Sequence, residues 1–119
     1  MRVARTLLIV VLLTGFAGGG LAYADARGDA RAQVDFGIKA AQADLWREAI
    51  FRWQKAVEID PTYAAAFNDL AIGYEHEGMP DKARQAYEKA LKLDADNDYI
   101  RQNYEMFKEV HARATGTHP

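Results

Sequence analysis

The chain repeats itself with a period of 34 residues, and nothing else in it limits the fold so strongly. Gly37, Ala40, Ala49, Trp53, Ala56 and Pro61 recur 34 positions later as Ala71, Tyr74, Ala83, Tyr87, Ala90 and Ala95, and Asp60-Pro61 is echoed by Asp94-Ala95. A fixed period of 20–50 residues marks stacked supersecondary units, none of which can bury its apolar face alone. Phe67, Leu70, Ala71 and Tyr74 stand at i, i+3, i+4 and i+7, which places them on one face of a helix. Ala83, Tyr87 and Ala90 make a second face in which small residues flank a ring. Small beside large lets two helices of a hairpin approach closely while the aromatic fills the groove. Pro61, between Asp60 and Thr62, ends one helix and starts the next at a position where a missing N–H costs nothing. Gly78 closes a helix and Pro80 opens the following one in the same manner.

The motif resembles the tetratricopeptide repeat, whose unit reads W-x2-L-G-x2-Y, then A-x3-F, then P. The second copy reads Phe67-x2-Leu70-Ala71-x2-Tyr74, Gly78, Ala83-x3-Tyr87-x2-Ala90. The first reads Gln33-x2-Phe36-Gly37-x2-Ala40, Ala49-x3-Trp53-x2-Ala56, Pro61. Gln33, Ala40, Asp44 and Ala95 depart from the pattern at the first aromatic, the tyrosine, the turn glycine and the closing proline. The resemblance implies an all-α fold, a short α-solenoid of antiparallel hairpins with repeats over 30–63 and 64–97. Helices are expected near 29–43, 46–59, 63–77, 80–93 and 97–113. Residues 98–113 match only the first half of a unit and resemble the solvating helix that closes such arrays. A short linker is expected over 25–29 and a flexible tail over 114–119.

Residues 1–24 have the layout of an export signal: Arg2 and Arg5, then the apolar run Leu7 to Leu13, then Ala22-Tyr23-Ala24 as a small-residue cleavage site. The alternative is an uncleaved membrane anchor, since Leu7 to Ala24 carries no charge, although Gly15, Gly18, Gly19 and Gly20 dilute it. Both readings hold the arginines in the cytoplasm and send residues 25–119 across, to a bacterial periplasm or envelope. Membrane contact is then expected only through an uncleaved N-terminal segment. No cysteine occurs, so lipid attachment through cysteine, disulfides and cysteine metal sites are all excluded. Loss of Arg2 and Arg5 leaves 13 basic against 17 acidic side chains and moves the formal charge from −2 to −4. That balance argues against a nucleic-acid partner, which calls for a basic footprint.

The resemblance implies a concave groove, lined by the first helix of each repeat, that receives a peptide or helix of another protein. Ile72 lies about 140° around its helix from Phe67. Its counterparts at the same spacing are Ile38 and Met106, a recurring apolar row. Val34, Asn68 and Gln102 border it one turn earlier, and Gln42 and His76, with Val110, one turn later. These residues are the expected partner-binding groove. The expected partner is another protein or a second copy of the chain, because two repeats fall short of the three or more that such arrays need. Catalysis has no support: there is no serine or cysteine nucleophile. No cofactor or metal is expected, since Glu75, His76 and Glu77 diverge by about 100° per residue and cannot converge on one ion.

Overall fold

The computed structural model describes residues 17–116, with side chains from residue 24 onward. Five helices follow one another: α1 (Ala17–Gln42), α2 (Trp46–Ile59), α3 (Ala64–His76), α4 (Pro80–Leu93) and α5 (Asp98–Thr115). No strand occurs among the described residues. Helix α1 packs along α2 and α3 along α4 as two hairpins, α2 against α3 stacks the hairpins, and α5 closes on α4. The expected short α-solenoid is therefore the observed fold.

The turn inside each hairpin is one structure made twice. The amides of Ala43, Asp44 and Leu45 donate to the carbonyls of Lys39, Ala41 and Ala40 at 3.1, 2.9 and 2.8 Å. Those of Glu77, Gly78 and Met79 donate to Gly73, Glu75 and Tyr74 at 3.0, 3.0 and 2.8 Å. This is a Schellman closure, which satisfies carbonyls left open at a helix end and requires left-handed backbone at one residue. Gly78 supplies it with φ of 69°, and Asp44 adopts φ of 61° at the equivalent place. Aspartate enters that region more readily than most side chains, so the departure at Asp44 changes the residue and keeps the turn. The seam after each second helix also recurs. Asp60 and Asp94 donate to Ala56 and Ala90 at 2.9 and 3.0 Å, and Tyr63 and Asn97 donate back to Asp60 and Asp94 at 3.1 and 3.3 Å.

The core alternates small and large. Ala30, Ala49, Ala56, Ala66, Ala71, Ala83 and Ala90 have no exposed surface, and Trp53 and Tyr87 lie buried among them. Gly37 is required at the tightest point. A Cβ there would stand 2.3 Å from the Trp53 Nε1 atom, so only glycine lets the indole lie across α1 and donate to the Val34 carbonyl at 3.2 Å. The counterpart of Gly37 and Ala71 on α5 is Glu105, which is exposed. A charged side chain where the hairpins place a small one gives α5 a solvent-facing side, in keeping with a closing helix.

The N-terminal boundary differs from expectation. Residues 25–29, read as a linker, are part of α1, which extends back to Ala17. The run contains no proline, and tertiary contacts fix it. The Arg27 guanidinium pairs with Asp60, donates to Thr62 Oγ1 at 3.1 Å and lies 4.5 Å from the centroid of the Tyr63 ring. Burial would raise the Asp60 carboxyl, but hydrogen bonds from Arg27 and Thr62 outweigh it and hold the group below the usual carboxylate range. The export signal or anchor expected over 1–24 lies outside the described residues as far as residue 16. The backbone of 17–24, with the expected cleavage site, forms the first turns of α1. No helix among the described residues is long and apolar enough to cross a membrane. At the other end α5 continues to Thr115 and stops at Gly116 with φ of 69°, so Ala114 and Thr115, read as the start of a tail, are helical.

Candidate partner-binding face

The expected groove residues divide by depth. Met106 is 64% exposed and Ile38 39%, while Ile72 between them is half-buried and packs against the core. That row is an apolar line along the first helices of successive units. The row one turn earlier is different. Val34 and Asn68, expected to border the groove, are core residues at 5% and 2% exposure, and of that row only Gln102 lies on the surface. Val34 is covered because its carbonyl receives the Trp53 indole. Asn68 is buried because Asn103 on α5 donates to its Oδ1 at 3.1 Å, which satisfies an amide that would otherwise be costly to bury. The later row is exposed at Gln42, His76 and Val110. His76 is occupied there, its ring stacked on Trp46 with centroids 3.9 Å apart.

Next to Asn68, burial pushes the Asp69 carboxyl up to about 6, with the Asn68 amide acting in the opposite sense. The Tyr87 hydroxyl donates to Glu75 Oε2. Burial, the Glu75 hydrogen bond and the negative charge of Glu75 all raise this phenol well above its ordinary value. The Tyr87–Glu75 hydrogen bond ties α4 to α3.

Two features of the surface were not visible in the sequence. The first is the end of the array at α1 and α2, where Phe36 is 58% exposed and Phe51 also faces solvent. The Arg52 guanidinium lies 4.6 and 5.6 Å from their ring centroids. In the second unit Leu70, the counterpart of Phe36, is buried, because the first hairpin precedes it. The second feature is a crevice of about 240 Å3 between the α3–α4 turn and α5, lined by Glu75, Gly78, Pro80, Phe107, Val110, His111 and Ala114. Its walls differ from the equivalent positions one repeat earlier, with Pro80 in place of Trp46 and Phe107 in place of Gly73.

Comparison with known proteins places this geometry. The tetratricopeptide repeat family model matches residues 64–97. The chain is 34% identical over 112 residues to the type IV pilus assembly protein PilF of Pseudomonas aeruginosa, covering 90% of this chain and 44% of that protein. It is 30% identical over 74 residues to the small glutamine-rich tetratricopeptide repeat-containing protein 2 of Saccharomyces cerevisiae, covering 59% of this chain and 21% of that protein. With the TPR repeat-containing protein YpiA of Bacillus subtilis it shares 32% over 62 residues, 52% of this chain and 15% of that protein. It thus spans less than half the length of each of these relatives. Residues 64–97 match the tetratricopeptide repeat, and the five described helices form an all-α solenoid of that kind.

Proposed function

We propose that this protein is an extracytoplasmic adaptor that binds a peptide or helix of a cell-envelope protein along Ile38, Ile72 and Met106. The carrying observation is that the apolar row recurs at the repeat spacing and reaches the surface at Ile38 and Met106, with Gln42 and Gln102 as polar neighbours. An apolar line with polar edges suits the apolar face of an amphipathic helix or alternate side chains of an extended segment. Similarity to a protein named for type IV pilus assembly supports a place in an envelope assembly. The N-terminal arginines and apolar run support export, either as a released protein or as a tethered accessory of a larger complex.

The test uses Met106→Asp and Ile38→Asp, both at exposed positions. Wild-type chain retained on a support should hold a stoichiometric foreign protein from envelope extract, and the double variant should lose it with unchanged helical content and melting. Retention by the variant removes the row from the interface. Ile72→Asp then reads the depth of the row: an unfolded product places Ile72 in the core, and a folded one that fails to capture places it in the groove. Self-association is the second reading, and the exposed Phe36 and Phe51 favour it. A melting temperature independent of concentration, with a monomer by light scattering, eliminates it. Intact mass of the mature chain tests cleavage after Ala24.

A further inference from the structure

The crevice beside α5 has an internal reference, because each of its walls has a counterpart 34 residues earlier. Pro80 answers to Trp46, Val110 to His76 and Phe107 to Gly73. At the first seam the Trp46 indole lies on the His76 ring with planes 14° apart, and its N–H donates to Asp44 Oδ1 at 2.9 Å. Gly73 lets α3 close on α2: a Cβ there would stand 2.7 Å from Ile50 Cγ1. At the second seam Phe107 occupies that place and lies against Tyr87, ring centroids 5.6 Å apart. Pro80 has no ring that reaches across, and Val110 is left 58% exposed. The space that the indole takes at the first seam is open at the second.

We infer that this crevice receives one aromatic side chain, a tryptophan or tyrosine, presented by a segment of a partner protein. Three observations carry it. The first seam shows what the same turn and helix pair hold when filled, a planar ring laid against the following helix. The size agrees, since about 240 Å3 falls short of the ~300–1,000 Å3 of small-molecule sites and suits a single side chain. The lining agrees as well. Phe107 and His111 stack on each other at 5.8 Å and 12° and offer aromatic surface, Val110 and Ala114 are apolar, and Glu75 supplies an acceptor. Gly78, the counterpart of Asp44, has no side chain, so the indole N–H or phenol O–H of the incoming ring finds its carboxylate on Glu75 instead. A carboxylate already holding the Tyr87 hydroxyl keeps lone pairs for a second donor, and an aromatic with one polar handle is the side chain that uses both parts of such a site. The inference rests on the adaptor reading for the source of the ring, but the binding of the ring itself can be measured without a partner.

The measurement is a titration of N-acetyl-tryptophanamide into the isotopically labelled full chain, followed by NMR. Saturable shifts are expected at Phe107, Val110 and Ala114, with weaker response to N-acetyl-leucinamide. Pro80→Trp combined with Val110→His rebuilds the stack of the first seam and should abolish the shifts while the melting temperature holds or rises. Ala114→Phe, which narrows the mouth from the last turns of α5, should abolish them too and serves if the double variant fails to fold. Absence of saturable shifts in wild type, equal response to the leucine probe, or persistence of the shifts in a folded filled variant overturns the inference. So do shifts at these residues on dilution without any probe, which would mean that a second copy fills the crevice. Met106→Asp should leave the probe shifts unchanged, so failure of the groove reading and failure of the crevice are read separately.

Discussion

The seam between α2 and α3 and the seam between α4 and α5 are built from equivalent positions and reach different ends. At the first, Gly73 admits Ile50 and Trp53 to the surface of α3, and the Trp46–His76 stack covers the edge. At the second, Phe107 replaces the glycine, packs on Tyr87 and Tyr104, and leaves an open crevice. The first joint, with Gly73 and the Trp46–His76 stack, and the second, with Phe107, Pro80 and Val110, thus differ in packing at equivalent positions. In a solenoid each unit contacts only its neighbours, so stability is close to a sum of local joints, and the two joints can be perturbed one at a time.

Trp53→Ala should have the largest effect, about 3–5 kcal/mol, since a buried indole touching α1 and α3 is replaced by a cavity. Denaturant unfolding should show it as a lowered midpoint of the whole cooperative transition. Phe107→Ala, at the second seam, should instead release α5 while the hairpins keep their midpoint within about 1 kcal/mol, because terminal elements open independently of the rest. Equal losses from the two substitutions would break the comparison.

Asp69→Asn should act in the opposite direction. The unfolded group titrates near 3.8 and the folded one near 6, so the folded state holds the extra proton between these values. Stability from this group falls as pH rises through that window, and the penalty stands in full above pH 6. The substitution should raise stability at neutral pH by up to about 3 kcal/mol and flatten the slope between about pH 4 and 6. An unchanged pH profile would show that Asp69 is solvated in the folded chain.

Gly73→Ala should cost about 1–3 kcal/mol through overpacking against Ile50, reduced by about 1 kcal/mol of helix propensity. Thermal melts would measure the net loss, and a net gain would mean that the first seam is looser than described. Asn97→Ala is the smallest, about 1 kcal/mol for a lost cap, since the Asn97 side chain accepts the Ile100 amide at 3.1 Å. Its effect should appear as faster exchange in the first turn of α5 and nowhere else.

The hairpins, their turns and the seams were legible in the sequence because small and aromatic residues repeat at fixed spacing and Gly78 and Pro80 mark helix ends; Pro61 marks the seam but lies in the turn before the Tyr63 cap of α3, not in that helix's first turn as expected. The depth of the face was less legible. Val34 and Asn68 share a helical row with residues that reach the surface, and only the indole N–H from Trp53 and the amide from Asn103 show that both are enclosed. The start of α1 was misplaced because nothing local distinguishes a polar helix from a polar linker over 25–29, and the Arg27–Asp60 contact that orders it spans 33 residues. The crevice was hidden for the same reason: it arises from a pair of helices, and a single-helix period cannot report the spacing between two.

Native-state hydrogen exchange is the most direct test of the difference between the joints. Amides of α5 from Ile100 to Phe107 should open with a lower free energy than those of α2 and α3 around Trp53 and Gly73, and the α5 amides should respond to Phe107→Ala alone. Equal opening free energies on the two sides, or an α5 that opens only with the whole chain, would contradict the account.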